Sequence, residues 1–243
     1  MTLSADIQKI PRTYMPVGFE LTNWESLEPF FKELVDRPLG SLQDLEQWLK
    51  DMSEVEAVIS EDACWRQIKM TCDTTNPALE EAFNYFCLEI QPKMQPFADQ
   101  LNKKFIDCPY TASLDKDTYY TYIRSVKKNI ELFREANIPL QAELSVMQQQ
   151  YGTIAGKMTV EVEGKEYTLQ QAAKFLEHED RAVRESVYKK IQDRRLVDKD
   201  AMHDLYSSLI QKRHQVAVNA GFANYRDYKF VELGRFDYTK EDC

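Results

Sequence analysis

Apolar residues recur at three- and four-residue intervals along most of this chain, the spacing that turns one face of a helix toward a core. Leu42, Leu45, Leu49, Met52, Val55 and Ile59 form one such stripe. Tyr119, Ile123, Val126, Ile130 and Phe133 form a second, and Met202, Leu205, Leu209 and Val216 a third. No glycine occurs between Gly40 and Gly152, which favours helix over sheet. Capping residues mark the starts. Thr22-Asn23-Trp24-Glu25 opens a helix that should end near Pro38, and Ser41 to Asp44 opens the next. Asn76-Pro77 places a cap before a proline at the first helical position. Pro92 and Pro96 predict a kink or break, because each lacks an amide donor and crowds the preceding turn. Helices are predicted over about 116–136 and 139–151, separated by Asn137-Ile138-Pro139. Further helices are capped by Thr168, Asp180 and Asn224, and Gly221 closes the helix over about 200–220.

The period changes once. Met158, Val160 and Val162 alternate with Thr159 and Glu161, Glu163-Gly164 makes a tight turn, and Lys165 to Leu169 returns. This pattern predicts a two-residue β-hairpin. Gly152 and Gly156 could bend the chain into it. The predicted fold class is therefore all-α with one inserted hairpin at about 158–169. At the other end, Thr239 followed by Asp242 is a capping box with no helix after it, so the chain reads as the front part of a longer protein.

Composition narrows the partners. The 243 residues carry a net charge of −9, which argues against general binding to nucleic acid or an anionic membrane. The N-terminus, MTLSADIQKIPRTYMP, has no apolar run of signal-peptide length, and nothing later approaches a membrane span. Five cysteines without C-x-x-C spacing read as reduced thiols of a cytoplasmic protein, with Cys64, Cys72 and Cys87 packed as small hydrophobes.

Candidate chemistry is sparse. Of three histidines, His203 and His214 share a face of one predicted helix but stand roughly 16 Å apart, too far for one metal ion. Asp200 and His203 give one imperfect copy of the pair that a di-metal carboxylate bundle needs twice. No nucleophile elbow, dinucleotide fingerprint or Walker-type loop occurs. No catalytic, cofactor-binding or metal-binding residue is assigned.

The runs Gly156 to Leu169, Asp180 to Glu185 and Arg213 to Tyr228 resemble the front half of oligoendopeptidase F, a family of thimet-oligopeptidase-like zinc peptidases. Ile59 to Trp65, Tyr122 to Lys128 and the closing Gly234 to Asp242 are similar to its members too, so the likeness runs from about Pro11 to the end. The resemblance implies a helical, clam-like molecule with a deep channel, and cleavage of short peptides at internal bonds. It implies a zinc ion in the complete enzyme, held by an HExxH helix and a later glutamate. This chain contains no HExxH, and His178, His203 and His214 lack the flanking residues to replace it. The family's catalytic residues therefore transfer to no position here, and no zinc is expected on this segment. The division that follows is a helical region at 1–110, a hairpin-bearing domain at 111–199 and the start of the catalytic domain at 200–243. The expected role is an inactive N-terminal segment lining the substrate channel, completed by a C-terminal catalytic half. A free-standing helical scaffold is the alternative, and a metal or redox protein using His203 ranks last. The hairpin edge could guide an extended peptide, although packing against helices is the plainer use.

Overall fold

The computed structural model describes residues 11–243, so most of the N-terminal stretch discussed above lies outside the described residues. The chain folds into two compact units. One comprises residues up to Trp65 together with Lys93–Ile130, and the other Arg66–Pro92 together with Glu131–Cys243.

The first unit is built on α1 (Trp24–Asp36) and the start of α2 (Leu42–Cys72). Asn23, rather than Thr22, is the cap of α1, its side chain accepting from the Ser26 N–H. The stripe read from the sequence is the buried one: Leu45, Leu49, Met52, Val55 and Ile59 are in the core, joined by Leu27, Phe31 and Leu34 of α1. Trp48 is fully buried and donates its indole N–H to the Leu34 carbonyl at 2.8 Å. Lys104, on α4 (Gln91–Asp107), donates to the carbonyls of Leu34, Val35 and Arg37, and so caps the end of α1 with a cation. A short 3-10 turn (Pro109–Ser113) leads into α5 (Lys116–Leu132), whose Val126 is buried.

The Glu54 carboxylate gathers the backbone of the segment ahead of α1, which Arg12–Glu61 and Tyr14–Glu33 also tether. Glu54 accepts the backbone N–H groups of Thr13, Tyr14 and Met15 at 2.8–3.0 Å and the Thr13 hydroxyl at 2.9 Å. Burial pushes its pKa up, but the N–H groups of Met15, Thr13 and Tyr14 outweigh that and hold it at about 2. A depressed carboxyl stabilises the fold above its ordinary value of 4.5, and the contribution fades as pH falls toward 2. Glu54→Gln is expected to cost about 1 kcal/mol at pH 6, after allowance for solvent screening. Urea midpoints at pH 6 and near pH 2 check this: the gap between wild type and variant should close at the lower pH.

In the second unit α3 (Pro77–Tyr85) is capped by Asn76, as the dipeptide predicts. The two prolines do not break the helix that follows. Instead a π-helical turn, Phe86–Ile90, precedes Pro92, with the Gln91 N–H donating to the Phe86 carbonyl, and the chain continues helically to Asp107. The wider turn gives the proline ring room where an α-turn would crowd it. The predicted hairpin is present as β1 (Thr159–Val162) and β2 (Lys165–Thr168), antiparallel with Val162 opposite Lys165. Glu163 and Gly164 have φ 53 and 76, the paired positive angles of a type I′ turn. The chain does not bend at Gly152: α6 (Ile138–Gly156) passes through it, ending where a Cβ on Gly156 would meet the Thr74 hydroxyl at 2.8 Å.

Helices α7 (Leu169–Ala172), α8 (Arg181–Val197), α9 (Lys199–Asn219) and α10 (Tyr225–Glu232) complete the unit. Thr168 forms a full capping box with Gln171, and Asp180 and Asn224 cap α8 and α10. Two apolar clusters hold these elements. Val160 and Val162 of β1 pack with Leu169, Ala172, Val187 and Ile191. Leu144 of α6 packs with Leu209, Val216 and Ala217 of α9 and Tyr228 of α10. Among the described residues the fold is thus helical with one small hairpin, as predicted. The cysteines differ from expectation. Cys87 and Cys108 are buried, but Cys64 and Cys72 are exposed. Cys64 follows Val55 by nine positions, about half a turn of arc away, so it falls on the polar face of α2.

Candidate functional site

The histidines do not assemble into a centre. His203 and His214 are both exposed on α9. His178 is exposed as well, and its Nδ1 accepts from the Asp180 N–H at 3.0 Å beside the start of α8. Among the described residues no three His, Cys, Asp or Glu side chains come close enough to hold a metal ion. The residues present therefore do not fit the zinc site that the resemblance implies for a complete enzyme. Burial pushes the Cys87 thiol up to about 11, which leaves it protonated and unreactive near neutral pH.

The polar concavity of the second unit lies among α6, α9 and α10, with a volume of about 560 Å³. Leu144 and Val216 bring α6 and α9 together beneath it, and Tyr228 fixes α10 against both. Asn137, at the start of α6, is buried; it donates to the Val216 carbonyl at 3.0 Å and accepts from the Asn219 amide at 2.8 Å. With α6 and α9 set this way, Gln141, Ser145 and Gln148 project from one wall and Arg213 from the opposite one. The third wall is α10, which contributes Tyr225, Lys229 and Glu232.

The electrostatics of this cavity are uneven. Lys229 is paired with Glu232 one turn away. Arg213 forms no ion pair with a described residue; its guanidinium carbon stands 5.9 Å from the centre of the Tyr225 ring, within range of a cation–π contact. The Tyr225 ring in turn stacks on Tyr228 at 6.0 Å and 26°. Burial, followed by the Glu232 charge, pushes the Tyr228 hydroxyl up to about 12, so it stays neutral, and it shares a hydrogen bond with Gln141. The lining has two cations and one carboxylate in a chain of net charge −9.

No sequence pattern marks a residue of this cavity. Arg213 and Tyr225 appear in it only as members of the run that resembles oligoendopeptidase F, and no local pattern marks an arginine that will stand over a ring on the next helix. Elsewhere in the unit, α9 leaves Tyr206, Ile210 and Val218 exposed, and Tyr151 and Leu196 are exposed beside an apolar groove next to the hairpin. Residues 232–243 are mostly exposed, whereas Tyr228 just before them is core. At the end of the chain the capping box is formed: the Thr239 N–H donates to Asp242 at 2.7 Å and the Asp242 N–H to the Thr239 hydroxyl at 3.3 Å. Lys240 ties this turn to Asp227 of α10 at 2.6 Å.

Residues 15–133, just under half of the chain, match the family model described as the Peptidase M3 N-terminal domain. No curated protein matches the chain. Three solved structures share its fold. A protein described as an oligoendopeptidase F from Bacillus anthracis str. Ames superposes with a TM-score of 0.85 at 17% identity, over 93% of this chain and 42% of its own. A second protein described as oligoendopeptidase F gives 0.85 at 21% identity, over 92% and 40%. PZ peptidase A, solved with an inhibitor, gives 0.85 at 18%, again over 92% and 40%. At these identities the likeness is one of fold. The chain spans about two fifths of the length of the proteins it matches.

Proposed function

We propose that this chain is the N-terminal portion of an M3-family zinc peptidase and forms part of the wall of a channel that admits short peptides. The observation that carries this reading is the agreement of two independent signals. The first part of the chain matches an M3 N-terminal domain, and more than nine tenths of it superposes on part of an oligoendopeptidase fold. In this reading hydrolysis belongs to segments of the parent protein outside this chain, and no step of it is assigned to a residue here. The same reading puts the zinc of the complete enzyme on those segments, since the HExxH motif that would hold it does not occur in this chain.

The site of action in this proposal is the cytoplasm. Five free thiols support it, and no described helix is long and apolar enough to cross a membrane. The net charge of −9 supports peptides rather than nucleic acid as ligands.

The test is an assay with a quenched fluorescent peptide. The 243-residue chain alone, with added zinc, is expected to give no cleavage above background. The same chain expressed in frame with a following segment that carries HExxH is expected to cleave, and to lose that activity to a chelator. Chelator-sensitive cleavage by the chain alone overturns the proposal. So does a reading frame that ends without such a segment, which would favour a scaffold.

A further inference from the structure

We infer that the cavity among α6, α9 and α10 is a carboxylate subsite in which Arg213 holds the C-terminal carboxylate of a short peptide. One cation of the cavity lacks a counter-charge. Arg213 is half-buried, it lies over Tyr225, and no described carboxylate pairs with it. Partial burial of a guanidinium is costly unless an anion or a set of acceptors meets it. The neighbouring lysine does not share this condition, because Lys229 is already neutralised by Glu232.

The lining selects the kind of anion. One unpaired guanidinium, with Glu232 at the rim, balances a single negative charge and works against a dianion such as phosphate. A planar carboxylate matches the fork of the guanidinium and can accept two parallel hydrogen bonds. The amides of Gln141 and Gln148 stand on the facing wall, where they can meet the peptide groups that adjoin a terminal carboxylate. Leu144, Val216 and the tyrosine rings offer apolar contact for a terminal side chain. A volume of about 560 Å³ lies within the range of small-ligand sites and accommodates the last residues of a peptide.

The choice of a peptide as the carrier of the carboxylate rests on the proposed peptidase role; the carboxylate chemistry does not. The experiment is therefore a binding measurement with no cleavage in it. The 243-residue chain is titrated calorimetrically with N-acetyl-Ala-Phe-Ala as the free acid, with the same peptide as its C-terminal amide, and with sodium acetate. The acid is expected to bind at least tenfold more tightly than the amide and than acetate. Arg213→Gln, checked for retained helicity by circular dichroism, is expected to lose at least tenfold of the acid's affinity and almost none of the amide's. Arg213→Lys, which keeps the charge but not the fork, should fall between. Equal binding of acid and amide, an unchanged Arg213→Gln, or no binding of the acid overturns the inference. Acetate binding as tightly as the acid peptide overturns the peptide assignment. None of these results bears on cleavage by the longer enzyme, so the two proposals fail separately.

Discussion

Trp48→Ala is expected to remove about 4 kcal/mol of stability from the first unit. The indole has no solvent exposure, and its N–H is bonded to the Leu34 carbonyl at 2.8 Å. Truncation to alanine leaves a cavity between α1 and α2 and withdraws a donor from a carbonyl near the end of α1. Trp48→Phe separates the two contributions: it keeps most of the apolar volume, loses the hydrogen bond, and should cost about 1–2 kcal/mol. Urea unfolding monitored by circular dichroism gives the totals. Hydrogen exchange should place the lost protection in α1, the start of α2 and Lys93–Ile130. Full protection there in the alanine variant would refute the assignment of Trp48 as the keystone of that unit.

Asn137→Asp is expected to cost about 3 kcal/mol near neutral pH, more than the roughly 2 kcal/mol of Asn137→Ala. The two side chains, Asn and Asp, have the same shape, so packing is preserved. What changes is that a buried carboxylate now faces the Val216 carbonyl, where the native amide donated at 3.0 Å. Acceptor against acceptor is repulsive, and the charge has lost its water. Protonation restores a donor, so the aspartate variant should recover stability relative to wild type as pH falls toward about 4, with the recovery complete below that value. Thermal melts at pH 7 and pH 3.5 measure this, and an aspartate variant as stable as the alanine one at both values would sink it. Because Asn137 fixes α6 against α9, the same change should loosen the walls that carry Gln141 and Arg213.

The helix starts were legible in the sequence because capping is chemistry between residues two or three apart. Asn76, Thr168, Asp180 and Asn224 each accept the N–H their position predicts. The hairpin was legible for the same local reason: the flanking residues alternate, and Gly164 takes freely the positive φ that a two-residue turn requires, with Glu163 drawn into it as well. What failed depended on tertiary context. A glycine at 152 lowers helix propensity by about 1 kcal/mol, but packing of α6 on α9 outweighs it. Where a kink or break was expected around Pro92 and Pro96, the helical ladder is interrupted by a π-turn five residues long just before Pro92 and then runs on through Pro96, a device that leaves no periodic signature. The candidate site lay beyond reach altogether. Its cation, its amides and its aromatic ring come from three helices, and only the fold brings them to one cavity.

The hairpin shows how a small sheet stays small. Val162 opposite Lys165 is the hydrogen-bonded pair beside the turn, so the next pair, Glu161 and Glu166, turns its backbone groups outward. On the β1 side that leaves a carbonyl at Glu161 open to any extended chain, and Lys190 of α8 occupies it at 2.8 Å. A strand arriving from a second molecule would have to displace an ammonium group and the helix face that carries it. Crowding in a concentrated solution therefore gives this edge little tendency to grow into a larger sheet, and β1 is closed on its outer side.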